Sequence, residues 1–92
     1  MRIIVIDGQG GGIGRSLTEK LRAELPEAEL VAVGTNSAAT ANMMRAGANV
    51  GATGENAVVF NCSRTDVIVG PLGIILADAM LGEITPRMAC AV

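Results

Sequence analysis

The residues of this chain that could do chemistry are few, and most stand together near its start: Asp7-Gly8-Gln9-Gly10-Gly11-Gly12-Ile13-Gly14. Five of the seven residues from Gly8 to Gly14 are glycine. Glycine loses more backbone freedom on folding than any other residue, so such a run signals a tight turn or a ligand that comes close to the backbone. The run follows the apolar Ile3-Ile4-Val5-Ile6 and precedes an amphipathic segment. It therefore predicts a phosphate-binding turn, with N–H groups exposed on a loop and the positive end of a helix behind them. Asp7 has two readings. It is a Mg²⁺ ligand or base at the tip of a strand, or a carboxylate that satisfies loop N–H groups in an Asx-turn.

Weaker candidates follow along the chain. Thr35 and Asn36, with Ser37, either bond a ribose or base or simply cap a helix. Glu55 stands after Thr53-Gly54, where it faces the crevice of the glycine turn or occupies the first turn of a helix capped at Thr53. Gly70, in Gly70-Pro71-Leu72-Gly73, permits close approach of a ligand or only breaks a strand. Cys62 and Cys90 form no CxxC pattern, and the chain has no histidine. They are expected as free thiols rather than a zinc site, with Cys62 a small buried hydrophobe before it is a nucleophile. No residue can be assigned to catalysis, and no metal site is expected.

The elements that must position these residues can be read from hydrophobic patterning. Residues 2–6 and 30–33 are continuous apolar runs, as in strands covered on both faces. Between them, Ile13, Leu17, Leu21 and Leu25 recur at helical spacing until Pro26 stops the helix. A strand, glycine loop, helix and strand in about 30 residues is the size of a βαβ unit, whose right-handed crossover makes the strands parallel. A second helix runs through Ala38–Arg45 and stops at Gly47. Residues 48–53 predict a very short strand or extended loop. Residues 54–64 carry both strand and helix signals; helix is preferred because a helix should precede the next strand, Val67-Ile68-Val69. A helix is expected from Ile74 to Gly82, and Thr85-Pro86 opens a last one. An apolar run, a glycine, small polar residues and a helix recur at Gly8, Gly34, Gly51 and Gly70, which puts four turns on the ligand-binding edge of a parallel sheet.

The whole predicts a single domain, residues 1–92, of the α/β class. It is a small doubly wound, Rossmann-like parallel sheet of three or four strands flanked by helices. Met88-Ala89-Cys90-Ala91-Val92 stops inside an apolar segment, which suggests that the chain continues or that another copy covers this edge. Met43, Met44, Met80 and Met88 are read as core or subunit interface, so a homo-oligomer is expected.

Composition excludes several classes. Net charge is −2, with one lysine, six scattered arginines and Phe60 the only aromatic residue, which leaves neither a basic patch nor stacking platforms for nucleic acid. The longest apolar stretch, Val67–Ala77, holds Pro71 and two glycines and is too short to span a bilayer, and no signal peptide is visible. A cytoplasmic protein without nucleic-acid or membrane partners is expected.

Gly8-x-x-x-Gly12-Ile13-Gly14 resembles the T-G-x-x-x-G-I-G turn of short-chain dehydrogenases/reductases over about the first 35 residues. That resemblance implies that Gly8 makes the turn, Gly12 and Ile13 approach a pyrophosphate, and Gly14 allows tight packing. The chain departs from it at Asp7, which replaces a small polar residue, and at Gly34-Thr35-Asn36, where an acidic ribose-binding residue is missing. With no tyrosine, it also lacks that family's Tyr-x-x-x-Lys pair. Over nearly its whole length the chain is similar to an uncharacterised bacterial family of Rossmann-like proteins, a domain of unknown function. The segments that carry this are M-R-I-I-V-I-D-G-Q-G-G-G-I-G, V-G-T-N-S, G-A-T-G-E-N-A, D-V-I-V-G-P-L-G-I and L-G-E-I-T-P. This second resemblance implies an α/β fold, a further strand beyond Val92, and no established activity. The expected ligand is a nucleotide, NAD or NADP first, bound over Gly8–Gly14. The competing readings are a small enzyme using Asp7 and Glu55, and a ligand-free structural or interaction domain.

Overall fold

Two uninterrupted apolar runs side by side can be satisfied only if both faces of their sheet are covered, and the fold is built around that requirement. The computed structural model describes the whole chain, Met1–Val92. Strands β1 (Arg2–Asp7), β2 (Glu29–Gly34), β3 (Val50–Thr53) and β4 (Val67–Val69) form one sheet in the order β3-β2-β1-β4. All three pairings are parallel, with Ile4 opposite both Val31 and Ile68. Helices α1 (Gly12–Glu24), α2 (Ser37–Arg45) and α3 (Glu55–Cys62) connect the strands, and α4 (Pro86–Ala91) closes the chain.

Successive residues of a strand point to opposite faces. Val5 and Ala32 meet Ala39 and Met43 of α2, with Leu17 and Leu21 of α1 packed alongside. Ile4, Ile6, Val31 and Val33 meet Val58, Ile74, Ile84 and Met88 on the other side. Burying each such aliphatic side chain contributes about 1.5–3 kcal/mol. The chain steps outward from β1 to β2 to β3, then crosses to the opposite side of β1 through α3. The change of direction lies between β1 and β4, beside the glycine turn. The α/β class, the parallel sheet and its flanking helices are as the patterning predicted, with β3 a strand and 55–62 a helix.

Three local expectations are corrected. Helix α1 buries only part of the Ile13–Leu25 stripe: Leu17 and Leu21 pack half-buried against the core, but Ile13 is 57% and Leu25 42% exposed, and the fully buried residues are Gly14 and Thr18. Gly14 brings the helix so close that an added Cβ would lie 2.7 Å from the Met43 sulfur and 2.8 Å from Asp7 Cβ. Small residues therefore make the closest approach to the sheet, beside Leu17 and Leu21, and the Thr18 hydroxyl is satisfied by donating to Gly14 O at 2.7 Å. Thr53 does not cap α3: its hydroxyl pairs with Thr40 Oγ1 at 2.8 Å, and Gly54, at φ 104°, takes the N-cap position without a side-chain bond. Nor does a helix run from Ile74 to Gly82. A single 3₁₀ turn (Leu72–Ile75) is followed by turns in which Asp78, Met80 and Leu81 have φ of 67°, 58° and 56°. Those angles are incompatible with a right-handed helix. The chain is bent back there because Asp78 N–H donates to Ile84 O, and Ile84 is buried in the core.

Thr85 is the N-cap of α4 and accepts from Met88 N–H, with Pro86 following it as expected. Cys62 and Cys90 are free thiols; Cys62 packs against the core, and burial pushes its thiol above the ordinary range. No helix is long and apolar enough to cross a membrane.

Candidate functional site

The glycine turn leaves the sheet at the carboxyl end of β1, where open α/β sheets bind ligands. Asp7 is the last residue of β1 and is 4% exposed. Its Oδ1 accepts from Gly8 N–H at 2.8 Å and its Oδ2 from Gly14 N–H at 2.6 Å. One carboxylate thus ties both ends of the turn together. Both of its oxygens are engaged in the role the Asx-turn reading described.

The remaining backbone donors of the turn divide into two groups. Gly11 N–H donates to Gly8 O at 2.9 Å, and Arg15 N–H donates back to Gly11 O at 2.8 Å. By contrast, the N–H groups of Gly10, Gly12 and Ile13 meet no acceptor of the chain. All three residues are exposed, and Gly12 and Ile13 open α1, where the helix dipole is positive. Asn36, the N-cap of α2, donates to Gln9 O at 2.8 Å and Asn42 within that helix donates to Gly10 O at 2.6 Å, which engages two of the turn's carbonyls.

The glycines themselves fall into the same two groups. Gly11 lies at φ 73° with Ala39 backbone 2.7 Å from an added Cβ, and Gly8 and Gly14 are packed against side chains. Gly10 and Gly12 have ordinary φ, and an added Cβ at either would meet nothing within 4 Å. Neither packing nor backbone conformation requires glycine at those two positions.

Patterning missed one residue altogether. Glu83, in the loop before α4, reaches across the sheet edge onto the turn. Its Oε1 accepts from Gln9 N–H at 2.8 Å, Thr35 Oγ1 at 2.6 Å and Asn36 Nδ2 at 2.9 Å. These donors hold its carboxyl below the usual carboxylate range, the Thr35 hydroxyl first among them. No arginine or lysine pairs with it. A carboxylate is thus brought to the end of β2 from a segment 48 residues beyond Thr35. Nothing local in Leu81-Gly82-Glu83-Ile84 announces this, because the pairing arises only when the chain folds back.

Thr35 and Asn36 thus converge on the turn, and Asn36 also caps α2 by accepting from Ala39 N–H at 2.9 Å. Gly70 lies against β1, where an added Cβ would be 2.5 Å from Ile6 O, so backbone packing itself demands glycine. Glu55 is engaged elsewhere: its Oε2 accepts from Thr85 at 2.6 Å and its Oε1 faces Arg87 Nη1 at 3.4 Å. The Thr85 hydroxyl, then Arg87, holds its carboxyl below the usual range. No group of three or more histidine, cysteine, aspartate or glutamate side chains is placed to hold a metal ion.

A four-stranded, all-parallel sheet with helices on both faces and a glycine-rich turn at its change of direction defines a small doubly wound α/β domain. Within that class the chain belongs to the family described as a domain of unknown function, DUF3842, whose model matches residues 2–92. No curated protein and no solved structure matches it.

Proposed function

We propose that the chain is a nucleotide-binding module that seats a phosphate or pyrophosphate on the Gly8–Gly14 turn, with NAD or NADP the first candidates. The observation that carries this reading is the pair Gly10 and Gly12: glycines with ordinary φ and open space around them, beside three N–H groups that no part of the chain uses. Such positions cost conformational entropy on folding without an internal return. Close approach by a ligand's oxygens accounts for them, because a side chain there would cover the free donors. The turn's place at the carboxyl edge, beside the change in strand order, adds to the same reading. Thr35 and Asn36 are the candidates for the sugar end, since they stand within hydrogen-bond reach of the same carboxylate as Gln9. An acid/base role for Asp7 and Glu55 draws no such support, as both carboxylates are held in structural hydrogen bonds.

The test is a thermal-shift panel of NAD, NADP, FAD, FMN, ATP, GTP and coenzyme A, each with and without Mg²⁺. A ligand at ~100 times its Kd adds about 2.7 kcal/mol to the folded state, a readable shift for a small domain. Gly12→Val should abolish the shift while the variant stays folded, because its side chain enters open space. Silence across the whole panel would sink the nucleotide reading and leave the interaction domain.

A further inference from the structure

The same sheet edge carries a device that the binding reading does not use. Between Asp78 and Ile84 the chain forms a small loop, closed at its base where Asp78 N–H donates to Ile84 O at 2.6 Å and Ile84 N–H to Ala79 O at 3.2 Å. Buried Ile84 anchors it, and at its tip Leu81 is 98% exposed. Three of its non-glycine residues, Asp78, Met80 and Leu81, hold left-handed backbone conformations that side chains disfavour. Its inner side lies on the glycine turn. An added Cβ on Gly8 would be 2.7 Å from the Met80 sulfur and 3.1 Å from Glu83 Oε1. No cavity stands beside the turn; the one cavity of the molecule, about 310 Å³ and lined by Met1, Leu25 and Pro26 among others, is at the opposite end of the sheet.

Glu83 thus places a carboxylate on a loop N–H, on a hydroxyl and on a side-chain amide, the donor types that an anionic sugar phosphate would use. No cation offsets it, so its charge also repels a phosphate approaching Gly10, Gly12 and Ile13. We infer that the 78–84 loop is a built-in plug: the Glu83 carboxylate stands in for the anionic ligand on Gln9, Thr35 and Asn36, and binding requires Glu83 and Met80 to leave the turn. This rests on the nucleotide-binding reading and adds a closed, self-occupied resting state to it. The strained backbone makes the loop easier to displace than an ordinary turn, while Ile84 keeps it tethered for return.

The experiment measures binding of NAD and of inorganic pyrophosphate to the wild-type chain, Glu83→Gln and Glu83→Ala by calorimetry. Amide hydrogen exchange is followed across residues 9–14 and 78–84. The plug predicts tighter binding by Glu83→Ala, by about tenfold, the scale of one charge-assisted hydrogen bond released. It also predicts that ligand protects 9–14 and speeds exchange in 78–84 of the wild-type chain. Glu83→Gln, which keeps shape and loses charge, should lie between the two and serves if the alanine variant does not fold. Equal or weaker binding by both variants, or slower exchange at 78–84 with ligand bound, would overturn the plug and make Glu83 part of the ligand's own site, with the nucleotide reading intact. Absence of binding to all three proteins would remove the reading and the plug together.

Discussion

The Glu83 carboxylate accepts a hydrogen bond from the Thr35 hydroxyl at 2.6 Å, joining the end of β2 to a loop 48 residues further along the chain. With Gln9 and Asn36 it makes a four-residue latch across the carboxyl edge of the sheet. That latch, and the separate tie of Asp7 to Gly8 and Gly14, give the edge its testable properties.

The glycines of the turn should separate by substitution to alanine. Gly10→Ala and Gly12→Ala enter open space at ordinary φ, so each should be neutral or stabilise by up to ~1 kcal/mol. Gly11→Ala, at φ 73° and 2.7 Å from Ala39 Cα, and Gly14→Ala, against Asp7 and Met43, should each destabilise by about 1–3 kcal/mol. Urea unfolding of the four variants checks the ordering.

Asp7→Ala leaves the Gly8 and Gly14 N–H groups without their acceptor in a buried place. A loss of about 2–4 kcal/mol is expected, since hydrogen bonds to charged groups are worth more than neutral ones. Asp7→Asn keeps one acceptor and turns a second donor toward an N–H, so it should cost less than alanine but remain destabilising. Equal stability of Asp7→Ala and the wild-type chain would refute the tie.

Acid should weaken the fold partly through Glu83 and Glu55. Both carboxyls are held below the ordinary carboxylate range in the folded chain, Glu55 chiefly by the Thr85 hydroxyl and Glu83 chiefly by the Thr35 hydroxyl. The unfolded chain then binds more protons between the two pKa values, and stability rises with pH there. Their contribution is complete above the unfolded value and is lost as pH falls through the lowered folded one. Glu83→Gln should flatten the melting temperature against pH below about 5, while Thr35→Ala should shift the Glu83 carboxyl back toward its ordinary value, as followed by carboxyl NMR titration.

Thr85→Ala should destabilise by about 1 kcal/mol, because it removes the N-cap of α4 and the hydroxyl that Glu55 holds. Thr85→Ser keeps both bonds and should restore most of the loss in chemical denaturation.

Much of this protein was legible in the order of its residues, because the signals concerned are local. Continuous apolar runs at Ile3–Ile6 and Leu30–Val33 require a sheet covered on both faces. Glycines between a strand and a helix announce the turn, and Thr85-Pro86 announces α4. What depended on tertiary structure is of another kind. Leucine spacing put Leu17 and Leu21 of α1 on the core side, but the close approach through Gly14 and Thr18, with Ile13 and Leu25 left exposed, was decided by packing against β1. The left-handed bend at Asp78–Gly82 replaced a helix that propensity favours, because burial of Ile84 outweighs local preference. Glu83 meets Gln9, Thr35 and Asn36 only after parallel register sets the ends of β1 and β2 side by side, Asp7 opposite Gly34. Periodicity and turn chemistry act over a few residues, whereas a carboxylate's partners across the sheet edge are chosen by the return path of the whole chain.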